Sequence, residues 1–174
     1  MNPRTVANAH RYAPLMNRIK FIVVLIITTL PTGLYSQVQN LKFEESKGKW
    51  SSPIPKYSQV LDLNKTLDHV SALSTIFITD SAYEVKSVYE GTVIAVECIS
   101  ENCYFLLTKF GDYYLVYINL TKPNLRKGDH IKRGVIIGSI QKEAEEREYK
   151  LELILMKSSI YIPIFDWFNF QSGA

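Results

Sequence analysis

Two cysteines, Cys98 and Cys103, stand in the run "VECISENCYF" and are the only thiols in the 174-residue chain. Four intervening residues can form a loop that brings two flanking strands to the roughly 5.5–6 Å Cα separation a disulfide needs. Closing so short a loop removes little chain entropy, so the bond would mostly pin a hairpin. The alternative is a pair of separate, half-buried thiols. Two cysteines alone do not make a metal site. Beyond residue 36 the chain has two histidines, His69 and His130. His69, Glu148 and Glu152 are the residues that could be recruited to hydrolysis, and their spacing matches no ligand or proton-transfer pattern.

The elements that must position these groups are short. "SSPIPKYSQV" (51–60) carries two prolines and reads as an extended edge segment, and 61–75 shows no period and reads as loop with an irregular turn. Strand candidates follow at 75–79, 83–89, 92–98, 103–110, 113–120, 135–140, 149–156 and 160–164. Gly91 and the Gly111-Asp112 pair mark turns between them. In "NLRKGDHIKRGVIIG" (124–138), Gly128 and Gly134 bracket a very short strand around His130-Ile131, and the basic residues keep both turns wet. The charged run "QKEAEERE" (141–148) reads as a solvated loop. Short strands at this spacing indicate an all-β sandwich or barrel.

The front of the chain reads differently. Residues 16–36 hold a basic start "MNRIK", an apolar run "FIVVLIITTL", then "PTGLYS" with a breaker and small residues. The apolar run is too short to cross a hydrocarbon core about 30 Å thick, so the pattern fits a cleaved export signal better than a retained anchor. Met16 is the better start, residues 1–15 form an upstream extension, and cleavage is expected after Ser36. A loose lead-in over 37–50, a β domain over 51–168 and a tail over 169–174 complete the organisation. Export to an oxidising compartment would permit the disulfide. Residues 1–36 hold four basic side chains and no acid, which leaves 16 basic against 17 acidic in the rest. So balanced a body offers no footprint for nucleic acid.

The pieces "GKWSSPIP", "VKSVYEGTVIAV", "KFGDYYLVYINL", "LRKGDHIKRGVIIGSI" and "PIFDW" occur in the order found in the lysostaphin-type, or LytM, zinc endopeptidases. The chain resembles that family from residue 47 to about 168. The resemblance implies a compact antiparallel β sandwich of the LytM, duplicated hybrid motif, type, with a groove that holds the metal. It also implies zinc held by a His-x-Gly-x-Asp motif and the second His of a His-x-His motif, with further histidines assisting the attack of water.

This sequence departs from the pattern at each of those places. The first motif falls in "ALSTIFIT", and the second in "YKLELIL", where one register supplies Tyr149 and Leu151 and the other Lys150 and Glu152. Phe110 stands in place of one family histidine and Asn119 in place of another. The expectation is therefore a domain with no zinc, no other cofactor and no catalytic residue, a degenerate member of the family. Members of that kind act as binding or regulatory modules, notably as envelope activators of peptidoglycan amidases. The resemblance implies a role in the periplasm or cell envelope, with peptidoglycan or a cell-wall amidase as partner. The groove candidates are Phe110, Tyr117, Asn119, Tyr149 and Leu151, since aromatic faces and an amide suit a peptide or sugar. The competing readings are a divergent peptidoglycan metalloendopeptidase and a barrel-sandwich adaptor of an envelope assembly.

Overall fold

The computed structural model describes residues 34–63, 73–142 and 147–170. The export segment up to residue 33, His69 and the centre of the charged run at 141–148 lie outside the described residues. Helix α1 (Leu34–Glu44) precedes ten strands: β1 (Gln59–Asp62), β2 (Ser74–Thr79), β3 (Glu84–Lys86), β4 (Gly91–Ser100), β5 (Cys103–Phe110), β6 (Tyr113–Leu120), β7 (His130–Ile131), β8 (Ile136–Ser139), β9 (Tyr149–Lys157) and β10 (Ile160–Ile162). A 3-10 turn at Phe165–Trp167 follows.

The large sheet runs β1-β2-β9-β6-β5-β4-β7, with β10 also on β9, and β3 pairs with β8 in a second sheet. Every pairing between these strands is antiparallel. Side chains alternate across a strand, so each strand of the large sheet feeds two faces. Phe77, Leu106, Leu115, Tyr117, Leu151, Leu153 and Leu155 point inward and meet Val85 of β3 and Ile137 of β8 in the main core. Phe105, Leu107, Tyr114, Val116, Ile118, Ile154 and Met156 form a second buried cluster on the outer face. The central strand β6 is buried along its whole length. The all-β sandwich is the one expected from strand spacing.

The segment between β6 and β8 is a corner that carries the chain from the large sheet to the small one. Its first turn is held by Gly128 N–H to Val93 O (2.9 Å) and its second by Gly134 N–H to Ser87 O (2.7 Å). Both glycines adopt positive φ, +96° and +82°, where a Cβ would be strained. Between the turns, β7 pairs with β4 through Ile131 and His130. Gly91 serves otherwise. Its φ is not positive, and a Cβ there would stand 3.0 Å from Lys109 O, so it permits close packing at the start of β4.

Three expectations are corrected. Residues 34–44 form a helix where a loose lead-in was expected over 37–50, because Phe43 is buried among five aromatic rings. The end of the domain extends past 168, since Asn169 N–H bonds Trp50 O (2.8 Å) and Phe170 packs on the core. The cysteines do flank a hairpin, but their sulfurs are not joined. An irregularity between Cys98 and Ser100 sets Cys98 opposite Tyr104 and Ser100 opposite Cys103. Cys98 Sγ, exposed, donates to Ser100 O (3.0 Å), while Cys103 Sγ, buried, donates to Asn119 Oδ1 (3.4 Å).

Candidate functional site

The five groove candidates sit on β5, β6 and β9, and alternation decides where they point. Tyr117 and Leu151 are wholly buried in the main core, and Phe110 and Tyr149 pack against it at half-buried positions. Phe110 opposes Tyr113 at one end of the β5–β6 ladder, whereas Tyr149 opposes Thr79 near the other end of the sheet. By the β6–β9 register Tyr149 lies past the far end of β6, so with a strand rise of about 3.3 Å per residue roughly 25 Å separates the two levels. Phe110 and Tyr149 thus lie at opposite ends of the sheet, with Tyr117 and Leu151 in the core between them.

Each is held by a specific set of contacts. The Phe110 ring stacks on Phe43 (5.9 Å between centroids) and meets Tyr89 edge-on (4.9 Å). The Tyr117 hydroxyl accepts Val88 N–H (3.0 Å) and lies 3.3 Å from Ser87 Oγ. Burial pushes Tyr117 up to about 12, against the opposing effect of those hydrogen bonds, so its phenol stays neutral and moves no proton near pH 7. Tyr114 and Tyr161 are likewise pushed up to about 12 by burial, with Asp112 adding to the effect at Tyr114.

Asn119 has the most unusual conformation of the five. Its φ is +68°, left-handed, a region where Asn is one of the few side chains found routinely. It falls at the register shift where Tyr104 opposes Leu120 and Phe105 opposes Ile118, so Asn119 is the extra residue of a bulge. Its Nδ2 donates to Lys150 O (3.1 Å), its Oδ1 accepts from Cys103, and its carbonyl accepts Gln141 N–H (2.7 Å). The amide thus ties β5 to β6 and β9.

Neither register of the β9 motif fits a metal. Tyr149 and Leu151 belong to the inward set, and Lys150 and Glu152 to the alternate positions that continue as Ile154 and Met156 on the outer face. A cation repels the Lys150 ammonium, and Glu152 alone is one ligand of the three or four that zinc needs. Among the described residues no three His, Cys, Asp or Glu side chains come together as a potential metal site. His130 is exposed at the corner with Nδ1 3.0 Å from Thr92 Oγ1.

The most connected polar constellation was missed by sequence reasoning, because its members lie about seventy residues apart. Ser36 Oγ (2.8 Å) and Asn40 Nδ2 (2.6 Å), both on α1, donate to the Asp112 carboxylate, and Asp112 N–H donates to Asn40 Oδ1 (2.8 Å). Burial pushes Asp112 up. The bonds from Asn40 and Ser36, with Lys109 and Lys157 nearby, outweigh it and hold the carboxyl below its ordinary range. One turn further on, Glu44 accepts from Lys157 Nζ (2.7 Å) and from the Tyr113 hydroxyl, and these two bonds lower its carboxyl as well. Beneath them Phe43 contacts Trp50, Tyr89, Tyr113 and Trp167 at centroid distances of 4.3–5.5 Å. This assembly latches a helix to a hairpin.

The arrangement of sheets and corner has counterparts among solved structures. It is similar to Csd3 from Helicobacter pylori (TM-score 0.57, 18% identity, 68% of this chain and 33% of that one). It is similar to a zinc containing peptidase from Vibrio cholerae (TM-score 0.53, 22% identity, 65% of this chain and 38% of that one). It also matches a chain of the SpoIIQ–SpoIIIAH pore forming complex (TM-score 0.53, 16% identity, 71% of this chain and 94% of that one). The domain has a LytM-like fold. No family model matches the sequence, and no curated protein is similar to it. The match spans about a third of each of the first two proteins, so their whole-chain activities are not carried by the likeness. Among the described residues no helix is long and apolar enough to cross a membrane.

Proposed function

We propose that this LytM-like domain is an exported, non-catalytic module of the cell envelope that binds or regulates, with peptidoglycan or an envelope protein such as a cell-wall amidase as its partner. The observation that carries the reading is the state of Asn119. Where the family's resemblance calls for a reactive histidine, this chain has an amide committed to Lys150 O and Cys103 Sγ at a strained bulge. A group so committed is structural, and substituting it for histidine removes the proton acceptor that hydrolysis needs. The β9 positions add no histidine, and second-shell contacts cannot restore a missing ligand. We take zinc to be absent from the functional protein.

The likeness to a chain of the SpoIIQ–SpoIIIAH complex supports a fold able to serve in an assembly. Export bears on α1 directly. Cleavage after Ser36 would remove the start of the helix and the Ser36 bond to Asp112, while Asn40, Phe43 and Glu44 would remain to hold the latch.

The experiment is incubation of the purified protein with peptidoglycan sacculi and added Zn²⁺, with and without a cell-wall amidase. The expected result is no release of soluble fragments by the protein alone, together with co-sedimentation or a faster amidase reaction. Chelator-sensitive release by the protein alone overturns the reading.

A further inference from the structure

The corner between β6 and β8 has a property that neither the fold nor the proposed role uses. From Arg126 to Ile136 every side chain is exposed except Ile131, which plugs into the core. The exposed set includes Arg126, Lys127, Lys132 and Arg133 against one acid, Asp129. Asp129 is turned inward on its own loop, accepting Arg126 N–H at 2.7 Å. The two turns are joined by a strand of two residues, so the four cations lie within roughly 25 Å of one another even at full extension. Lys86 extends the group, since it pairs with Ile136, and Arg133 reaches Lys49 O at 2.7 Å to bring that lysine alongside.

The second turn continues directly into two exposed aliphatic side chains, Val135 (43% exposed) and Ile136 (50%). They are two of five large apolar side chains exposed among the described residues, and they adjoin Lys132 and Arg133. Cations beside a shallow apolar tip are the composition that suits a lipid headgroup layer. Phosphates meet the ammonium and guanidinium groups while the aliphatic tip enters the boundary with the acyl chains. A soluble polyanion or an acidic protein would use the cations alone. The nearly balanced charge of the body leaves this attraction local, so it orients the domain.

We propose that the 126–136 corner, with Lys86 and Lys49, is a docking surface for an anionic lipid membrane, which it meets with Val135 and Ile136 at its tip. Contact is electrostatic first, and therefore falls as salt rises. The proposal is independent of whether the domain hydrolyses anything.

The test is co-sedimentation of the full chain with vesicles of phosphatidylglycerol and phosphatidylcholine, against phosphatidylcholine alone. The apolar run at 21–30 is common to all variants, so only differences between them are read. Lys127→Glu with Lys132→Glu, at exposed side chains, is expected to lower binding to anionic vesicles at least about tenfold, since each cation near such a surface contributes about 1 kcal/mol. Val135→Ser with Ile136→Ser is expected to lower it by a smaller factor at the same salt. Circular dichroism checks that each variant folds. Equal binding to both vesicle types, or no loss in the charge-reversed variant, overturns the proposal. So does loss in the charge-reversed variant with none in Val135→Ser/Ile136→Ser, which assigns the patch to a polyanion in solution.

Discussion

The dipeptide Gly-Asp occurs twice in strand-connecting turns, at Gly111-Asp112 and Gly128-Asp129, and the two have opposite fates. Both glycines are left-handed, at +56° and +96°. A Cβ on Gly111 would come within 2.2 Å of Asn40 Oδ1, whereas one on Gly128 would meet nothing within 4 Å. The Asp112 carboxylate is covered by α1 and receives two side chains from it, while the Asp129 carboxylate accepts Arg126 N–H within its own loop. The same local chemistry thus makes a half-covered latch in one place and a wet, basic corner in the other. Local sequence specifies the turn, and a distant segment decides whether it is closed off.

The largest test of the contrast is removal of the latch's apolar base. Phe43→Ala empties a space lined by five aromatic rings and is expected to cost about 3–5 kcal/mol in a urea or thermal unfolding measurement. His130→Ala at the corner is expected to stay within about 0.5 kcal/mol. Similar losses from both would mean that the corner is as much part of the core as the helix.

Next in size is the glycine pair. Gly128→Ala is expected to cost about 1–2 kcal/mol, the penalty of a Cβ in the left-handed region. Gly111→Ala is expected to cost more, because Asn40 must also move. Adding Asn40→Ala should recover part of the excess, a coupling that a double-mutant cycle measures. No coupling would contradict the packing of α1 on this turn.

The smallest effect concerns pH. Asp112 and Glu44 are both held below their ordinary carboxyl range in the folded protein. Groups depressed on folding add stability that is fully present above their unfolded values, near 4, and is lost as pH falls through the folded values beneath. Unfolding midpoints should therefore drop from pH 6 to pH 3, and Asp112→Asn should flatten that drop. An unchanged profile in the variant would show that the latch contributes nothing to the acid limb.

Much of the sheet could be read in the sequence because its signals are local. Strands β4, β5, β6 and β9 are short, mostly apolar runs, and Gly111-Asp112 and the 124–138 corner carry their turns in plain residue types. Helix α1 was hidden because its apolar residues do not share one face. Among its described side chains Val38 and Leu41 point to solvent while Phe43 is buried, and the bonds that hold the helix come from Asp112, Tyr113 and Lys157 far along the chain. The orientation of the groove candidates was hidden for a second reason. Whether Tyr117 or Leu151 faces in or out depends on strand register, and a single-residue slip inverts every side chain. The bulge at Asn119 and the irregularity beside Cys98 are such register events, and neither has a one-residue signature.

The LytM-like fold is proposed to persist here without the chemistry of a zinc endopeptidase, and the zinc content of the purified protein tests that proposal. The purified protein is to be loaded with excess Zn²⁺, dialysed against metal-free buffer and analysed for metal. The account predicts zinc far below one ion per chain and an unfolding midpoint that added Zn²⁺ does not shift. One tightly held zinc per chain, with a midpoint that a chelator lowers, would contradict it.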